Sequence, residues 1–190
     1  MNRKEVVFLA AALVVILIFG GASYRMLAQR GTPAAPETPE TGQGTSEHTA
    51  APDFLVYDAR GEEVRLSDFA RTPVVINFWA TWCPPCRGEL PEFQKAYETY
   101  GDRIRFLMVD LTGGSETQEG AEAFLAENGY TFPVYYDLDA SAAGAYGIYS
   151  IPVTVTVDAQ GKMADSRVGA LTGEQLTGML DTLLGEGGEG

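Results

Sequence analysis

The chain has two cysteines, Cys83 and Cys86, and uses a thiol nowhere else. They stand in FWATWCPPCRGELPEF (78–93), separated by Pro84 and Pro85. A crosslink there would brace little, because the entropy removed from the unfolded chain grows with the loop closed. The surroundings suggest chemistry instead. VVINFW (74–79) reads as a buried strand, and Leu90, Phe93, Tyr97 and Tyr100 then recur at helical spacing, with Gly101 as the stop. Cys83 thus falls where a strand runs into a helix, beside unpaired backbone N–H groups and the positive end of the helix dipole. Both favour thiolate over thiol. Cys86 lies one turn further in, within reach for closing a disulfide. The pair is expected to perform thiol–disulfide exchange: Cys83 attacks a substrate disulfide, a mixed disulfide forms, and Cys86 releases the product. The two prolines fit, since Pro at a helix start costs no hydrogen bond.

The elements that must hold this junction can be read on either side of it. FLVYD (54–58) and EEVRL (62–66) flank Ala59-Arg60-Gly61 as a hairpin. IRFLMV (104–109) is a strand, Ala121, Phe124 and Leu125 mark a helix ending at Gly129, FPVYY (132–136) is a strand and SAAGAYG (141–147) a short helix. VTVTV (153–157) and KMADSRV (162–168) flank the turn DAQG. Thr172 with Gln175 makes a capping box, opening a last helix with Leu176, Met179, Leu180, Leu183 and Leu184 on one face. Strands and helices alternating in this way predict an α/β sheet with helices on its faces.

Outside this region the composition changes. Val6 to Ala22 is uncharged and almost wholly apolar. As a helix it would cover about 25 Å, slightly short of a hydrocarbon core of about 30 Å, and Arg25 could snorkel to the headgroups. Residues 1–28 are expected to form a membrane anchor. A cleavable signal peptide is the rival, given the small Gly20 and Ala22 near its end. Residues 29–52, rich in Pro, Thr, Glu and Gly, read as a flexible linker. Residues 53–185 form the folded domain and 186–190 a disordered tail. The formal net charge of −13 leaves no basic patch for nucleic acid. His48, the only histidine, lies in the linker and is assigned no catalytic or metal role.

NFWATWCPPCRGELP (77–91) resembles the active-site segment of the thioredoxin superfamily. It is most similar to the membrane-anchored, extracytoplasmic thiol–disulfide oxidoreductases of the TlpA, ResA and DsbE type. The resemblance runs over about residues 51 to 185, beginning with APDFLVYDARGEEVRLSDF (51–69). It implies a thioredoxin-like fold: a central mixed sheet with helices on both faces, an N-terminal β-hairpin, and an added strand and helix in the middle of the chain. It also implies that Cys83 is the exposed thiol, that Cys86 resolves the mixed disulfide, and that Pro91 kinks the helix. In SIPVT (150–154) it assigns a cis proline facing the cysteines to Pro152, with the Ile151 backbone free to pair with a substrate strand. Trp82, Pro84 and Pro85 complete the implied substrate-binding surface. There is one departure. Thioredoxins proper carry a buried acid six residues before the first cysteine, where this chain has Asn77. Glu89 matches a glutamate that ResA-like proteins keep near the thiols, and helical spacing places it on the side of Cys86, where it could relay a proton.

Other readings stay open. Peroxiredoxins begin with a similar APDF segment, but their peroxidatic cysteine stands three residues after a threonine, and Thr81 is two before Cys83. A zinc or copper carrier would need more ligands than two sulfurs and a linker histidine. An oxidase or isomerase of the same fold is the third alternative. Pro84 and Pro85 offer no side-chain donor to a thiolate and Pro85 no N–H, which favours a reductant. No cofactor is implied. By resemblance the electrons would come from a membrane thiol donor and pass to protein disulfides, the haem-attachment cysteines of apocytochrome c among them.

Overall fold

A computed structural model describes residues 49–186; the segments 1–48 and 187–190, with the expected anchor, most of the expected linker and His48, lie outside the described residues. The elements in chain order are β1 (Leu55–Tyr57), β2 (Glu63–Arg65), a 3-10 turn (Leu66–Phe69), β3 (Val74–Trp79), α1 (Pro84–Tyr100), β4 (Arg105–Asp110), α2 (Gln118–Asn128), β5 (Val134–Tyr136), α3 (Ser141–Tyr146), β6 (Val153–Val157), β7 (Met163–Val168) and α4 (Gly173–Glu186). The strands form one sheet in the order β2-β1-β5-β4-β3-β6-β7. β3 runs parallel to β4 and β4 to β5, while the remaining pairings are antiparallel. Two strand–helix units, β4–α2 and β5–α3, lie between α1 and Pro152 and accommodate the expected extra strand and helix.

All six residues of β3 are buried, because the strand has neighbours on both edges and covering layers on both faces. Its side chains alternate between two cores, as a pleated strand requires. Val75 and Trp79 join Leu90 and Phe93 of α1 and Leu176 and Leu180 of α4. Val74, Ile76 and Phe78 join Phe54, Leu66 and Ala142 on the other face. The hairpin and the β6–β7 turn are built alike. Asp58 accepts from the N–H groups of Arg60 and Glu62, and Asp158 from those of Gln160 and Lys162. Gly61 and Gly161, both at φ 76°, supply the left-handed residue each turn requires.

Several boundaries differ from the sequence reading. Residues 49–52, expected in the flexible linker, are tied to the domain. Thr49 accepts from the Met163 N–H at 2.9 Å, and Ala51 donates to Gly161 at 2.9 Å, which adds an isolated antiparallel bridge, Ala50 to Lys162, beside the β6–β7 hairpin. The strand at 132–136 begins only at Val134: Pro133 has no N–H, and the Thr131 N–H is taken by the Gln94 side chain at 2.8 Å. α4 runs one residue into the expected tail.

Asp137, buried beyond β5, has a role the sequence reading missed. Its carboxylate accepts from the N–H groups of Ala142 (3.0 Å) and Ala143 (2.8 Å), tying down the start of α3, from which the chain runs on to Pro152. Asp137→Ala leaves both donors without an acceptor. It is expected to lower stability by about 1–3 kcal/mol, seen as a lower urea midpoint at unchanged slope.

Candidate active site

At the end of β3 the Cys83 N–H bonds back to the Ala80 carbonyl at 3.2 Å, and α1 begins immediately. Cys83 is the N-cap of that helix, with Pro84 and Pro85 filling its first two positions. A helix N-terminus normally aims several free N–H groups at its cap. Here the prolines remove two, and the N–H directed at the Cys83 sulfur is that of Cys86, at 3.2 Å. The sulfurs are bonded to each other at 2.03 Å, with Cα atoms 5.3 Å apart. This contradicts one expectation. Cys83 is not an exposed residue in this state: it is 3% accessible against 0% for Cys86. In the disulfide its sulfur lies against the first turn of α1, and the Ile151 carbonyl oxygen stands 3.8 Å from it.

The Ile151–Pro152 bond is cis, as the resemblance implies, and the segment lies across from the cysteines. Trp82, 58% exposed, and Tyr149, 98% exposed, flank a shallow groove also lined by Leu111, Ile148, Ser150 and Ile151. Pro84 and Pro85 are exposed beside Cys83. Trp82, Pro84, Pro85, Ile151 and Pro152 are thus gathered around the disulfide. Tyr149 was not anticipated, since an isolated tyrosine in a loop carries no periodic signal.

Glu89 sits on the next turn of α1 after Cys86 and is 1% exposed. Its two carboxylate oxygens have separate donors. Oε1 accepts from Asn77 Nδ2 at 2.8 Å and Oε2 from the Leu171 N–H at 2.7 Å. Asn77 Nδ2 also donates to Thr154 Oγ1 on β6 at 3.1 Å. Position 77, where thioredoxins proper carry a buried acid, thus holds an amide that donates to a buried acid on the helix. Burial pushes the Glu89 carboxyl up from its ordinary value, against the Leu171 and Asn77 hydrogen bonds that pull it down. Desolvation of the charge outweighs the two bonds.

On the other side of the junction Glu116 holds the active-site turn. Its carboxylate accepts from the Thr81 N–H at 3.0 Å and from the Thr81 hydroxyl at 2.7 Å. The link spans a separation of 35 residues and gave no sequence signal. Among the described residues, no group of three or more His, Cys, Asp or Glu side chains is arranged to hold a metal ion.

Comparison with known proteins agrees with this geometry. Residues 48–166 match the AhpC/TSA family. The thioredoxin-like protein YneN of Bacillus subtilis (strain 168) is 34% identical over 138 residues, which is 73% of this chain and 81% of the relative. The thiol-disulfide oxidoreductase ResA of Bacillus thuringiensis (strain Al Hakam) is 32% identical over 181 residues, 95% of this chain and 97% of the relative. The crystal structure of StoA from Bacillus subtilis superposes with a TM-score of 0.61 at 28% identity, covering 70% of this chain and 98% of that one.

The raised Glu89 value has a stability consequence of definite sign. The folded state keeps the proton to higher pH than the unfolded chain. Stability from this group is therefore full below the ordinary value of 4.5 and is lost as pH rises through the raised one. Glu89→Gln is neutral throughout. Its urea midpoint is expected to lack that part of the fall with pH, so the wild-type and variant curves diverge above pH 4.5.

Proposed function

Since the chain belongs to the AhpC/TSA family and is a thiol–disulfide oxidoreductase, we propose that it is a reductant of disulfides in exported or membrane-attached proteins. It works outside the cytoplasm, held at the membrane by residues 1–28. In the forward reaction the Cys83 thiolate attacks one sulfur of a substrate disulfide and the other leaves as a thiolate. Cys86, having lost its proton to Glu89, attacks Cys83 Sγ and expels the second substrate sulfur. Two electrons pass to the substrate and the Cys83–Cys86 disulfide remains, to be reduced by a membrane thiol donor. Trp82, Pro84, Pro85, Ile151 and Pro152 bear on the substrate chain around the reacting sulfurs.

The direction rests on one observation, the single N–H aimed at the Cys83 sulfur. A thiolate that is strongly stabilised makes its disulfide a strong oxidant, whereas a modestly stabilised one gives up electrons more readily. With Pro84 and Pro85 withholding their N–H groups, Cys83 belongs to the second kind. The membrane location is supported by the apolar run Val6–Ala22 and by the match to ResA, whose 181 residues exceed those after residue 48 and so extend into the N-terminal segment. Apocytochrome c, with its paired haem-attachment cysteines, is one substrate of suitable chemistry. A peroxidase reading is disfavoured, because the Thr81 hydroxyl is engaged by Glu116.

Two measurements test this reading. Cys86→Ala, expressed as the full chain, should accumulate mixed disulfides through Cys83, and mass spectrometry should identify the captured partners as exported proteins; capture of cytoplasmic proteins alone would refute the location. The reduction potential, set against glutathione or dithiothreitol, should fall nearer the value of about −270 mV for thioredoxin than that of about −120 mV for strong oxidants of this fold.

A further inference from the structure

A second buried acid, Asp110, has no part in the exchange reaction, yet it lies one contact away from the active-site turn. It closes β4, paired in parallel register with Trp79, and is fully buried. Its Oδ1 accepts from the Thr112 hydroxyl at 2.8 Å. Its Oδ2 is buried and finds no donor among the described residues. The side chain within hydrogen-bonding reach is another acid, Glu116, brought back over the end of β4 by the reciprocal Gly113–Glu116 backbone bonds, both 3.0 Å. Both Glu116 oxygens already accept from Thr81. Two carboxylates cannot bond each other, but a carboxylic acid and a carboxylate can.

The surrounding groups supply no cation. Tyr136 stands opposite Asp110 on β5, and Glu122 of α2 lies beside Tyr136; both Glu122 and Asp110 help to push the Tyr136 hydroxyl up, after burial. Asp137 follows on the same strand with its carboxylate turned to the amides of α3. From the β3 side come Trp79 and Thr81, which carry no charge. No Lys or Arg makes a salt bridge to Asp110 or Glu116 among the described residues.

We propose that Asp110 is a positioning residue that acts through Glu116. Protonated, it donates to Glu116, and that bond steadies the grip of Glu116 on Thr81 and so the placement of the Trp82–Cys83 turn. When the proton leaves for solvent, two anions face each other in the interior and the turn loosens. The direction of titration agrees: burial, with Glu116 adding and the Thr112 hydroxyl opposing, pushes Asp110 up to about 8. The inference concerns the same site as the proposed reductase function but needs neither electron flow nor a substrate.

The test therefore uses the oxidised protein, in which no thiol titrates. Hydrogen exchange of the Thr81 amide is followed by NMR, with the intrinsic base catalysis divided out. In the wild type, protection should be level below about pH 8 and fall above it by up to about tenfold per pH unit, as the ionised form gains. Asp110→Asn offers an amide donor to Glu116 at every pH and should hold protection level. If that variant does not fold, Glu116→Gln removes the facing anion and should likewise abolish the step. Flat Thr81 protection in the wild type, or a step that persists in either variant, overturns the proposal. Failure of the reductase reading would leave this result untouched, since it would appear in the potential and the trapped partners.

Discussion

A cysteine at the N-cap of a helix is only as reactive as the N–H groups that face it, and here the facing set has been cut to one. Because Pro84 and Pro85 occupy the first two helical positions, the Cys86 N–H alone is directed at the Cys83 sulfur. Such a weakly solvated sulfur tolerates little displacement, since an N–H···S contact weakens steeply with distance and angle. The remainder of the domain meets that demand. β3 is locked between β4 and β6 and sandwiched by two cores, so the point where it delivers the chain to α1 has little freedom.

Charge in the interior follows from the same demand. Glu89 lies on the turn of α1 after Cys86 and Glu116 beneath the active-site turn, and each is reached by a backbone N–H group, from Leu171 and Thr81. Buried carboxyls of this kind cost stability wherever they ionise, about 1.4 kcal/mol for each unit by which the folded state raises the value. Glu89 bears a cost of this kind as pH rises above 4.5, whereas Asp110, pushed up to about 8, keeps its proton in the folded state at neutral pH. Apolar residues of similar volume in place of a buried acid can leave a domain as stable or more stable, so neither acid is explained by stability alone.

Much of this was readable from the sequence because it depends on neighbours along the chain. The runs at 74–79 and 153–157 became β3 and β6 at the expected residues, since a fully buried strand has an unbroken apolar signature. Thr172 and Gln175 exchange the two capping bonds, 3.0 and 3.3 Å, that their spacing implied. What was hidden depends on surfaces that meet only after folding. Helical spacing put Glu89 on the side of Cys86, but its depth is set by the loop that brings Leu171 against α1. Glu116 lies in a stretch of Gly, Ser and Thr with no periodicity, and its tie to Thr81 is long-range. The burial of Cys83, at 3% accessible with its sulfur in the disulfide, also depends on the Ile151 segment that packs against it from 68 residues away.

The point at which the chain enters the domain has a mechanical meaning. Thr49 and Ala51 pair with Met163 and Gly161, beside the end of β6 that carries Val157, whereas Pro152 and the cysteines lie at the other end of the same strand. A pull transmitted through the residues before 49 is therefore received at the pole remote from the thiols. It loads the Ala50–Lys162 bridge beside the β6–β7 hairpin and does not cross the Trp82–Cys83 turn. A load applied at Thr49 would meet the β6–β7 hairpin first, so the point of entry and the reactive face are mechanically separate and the geometry at the sulfur is shielded from it.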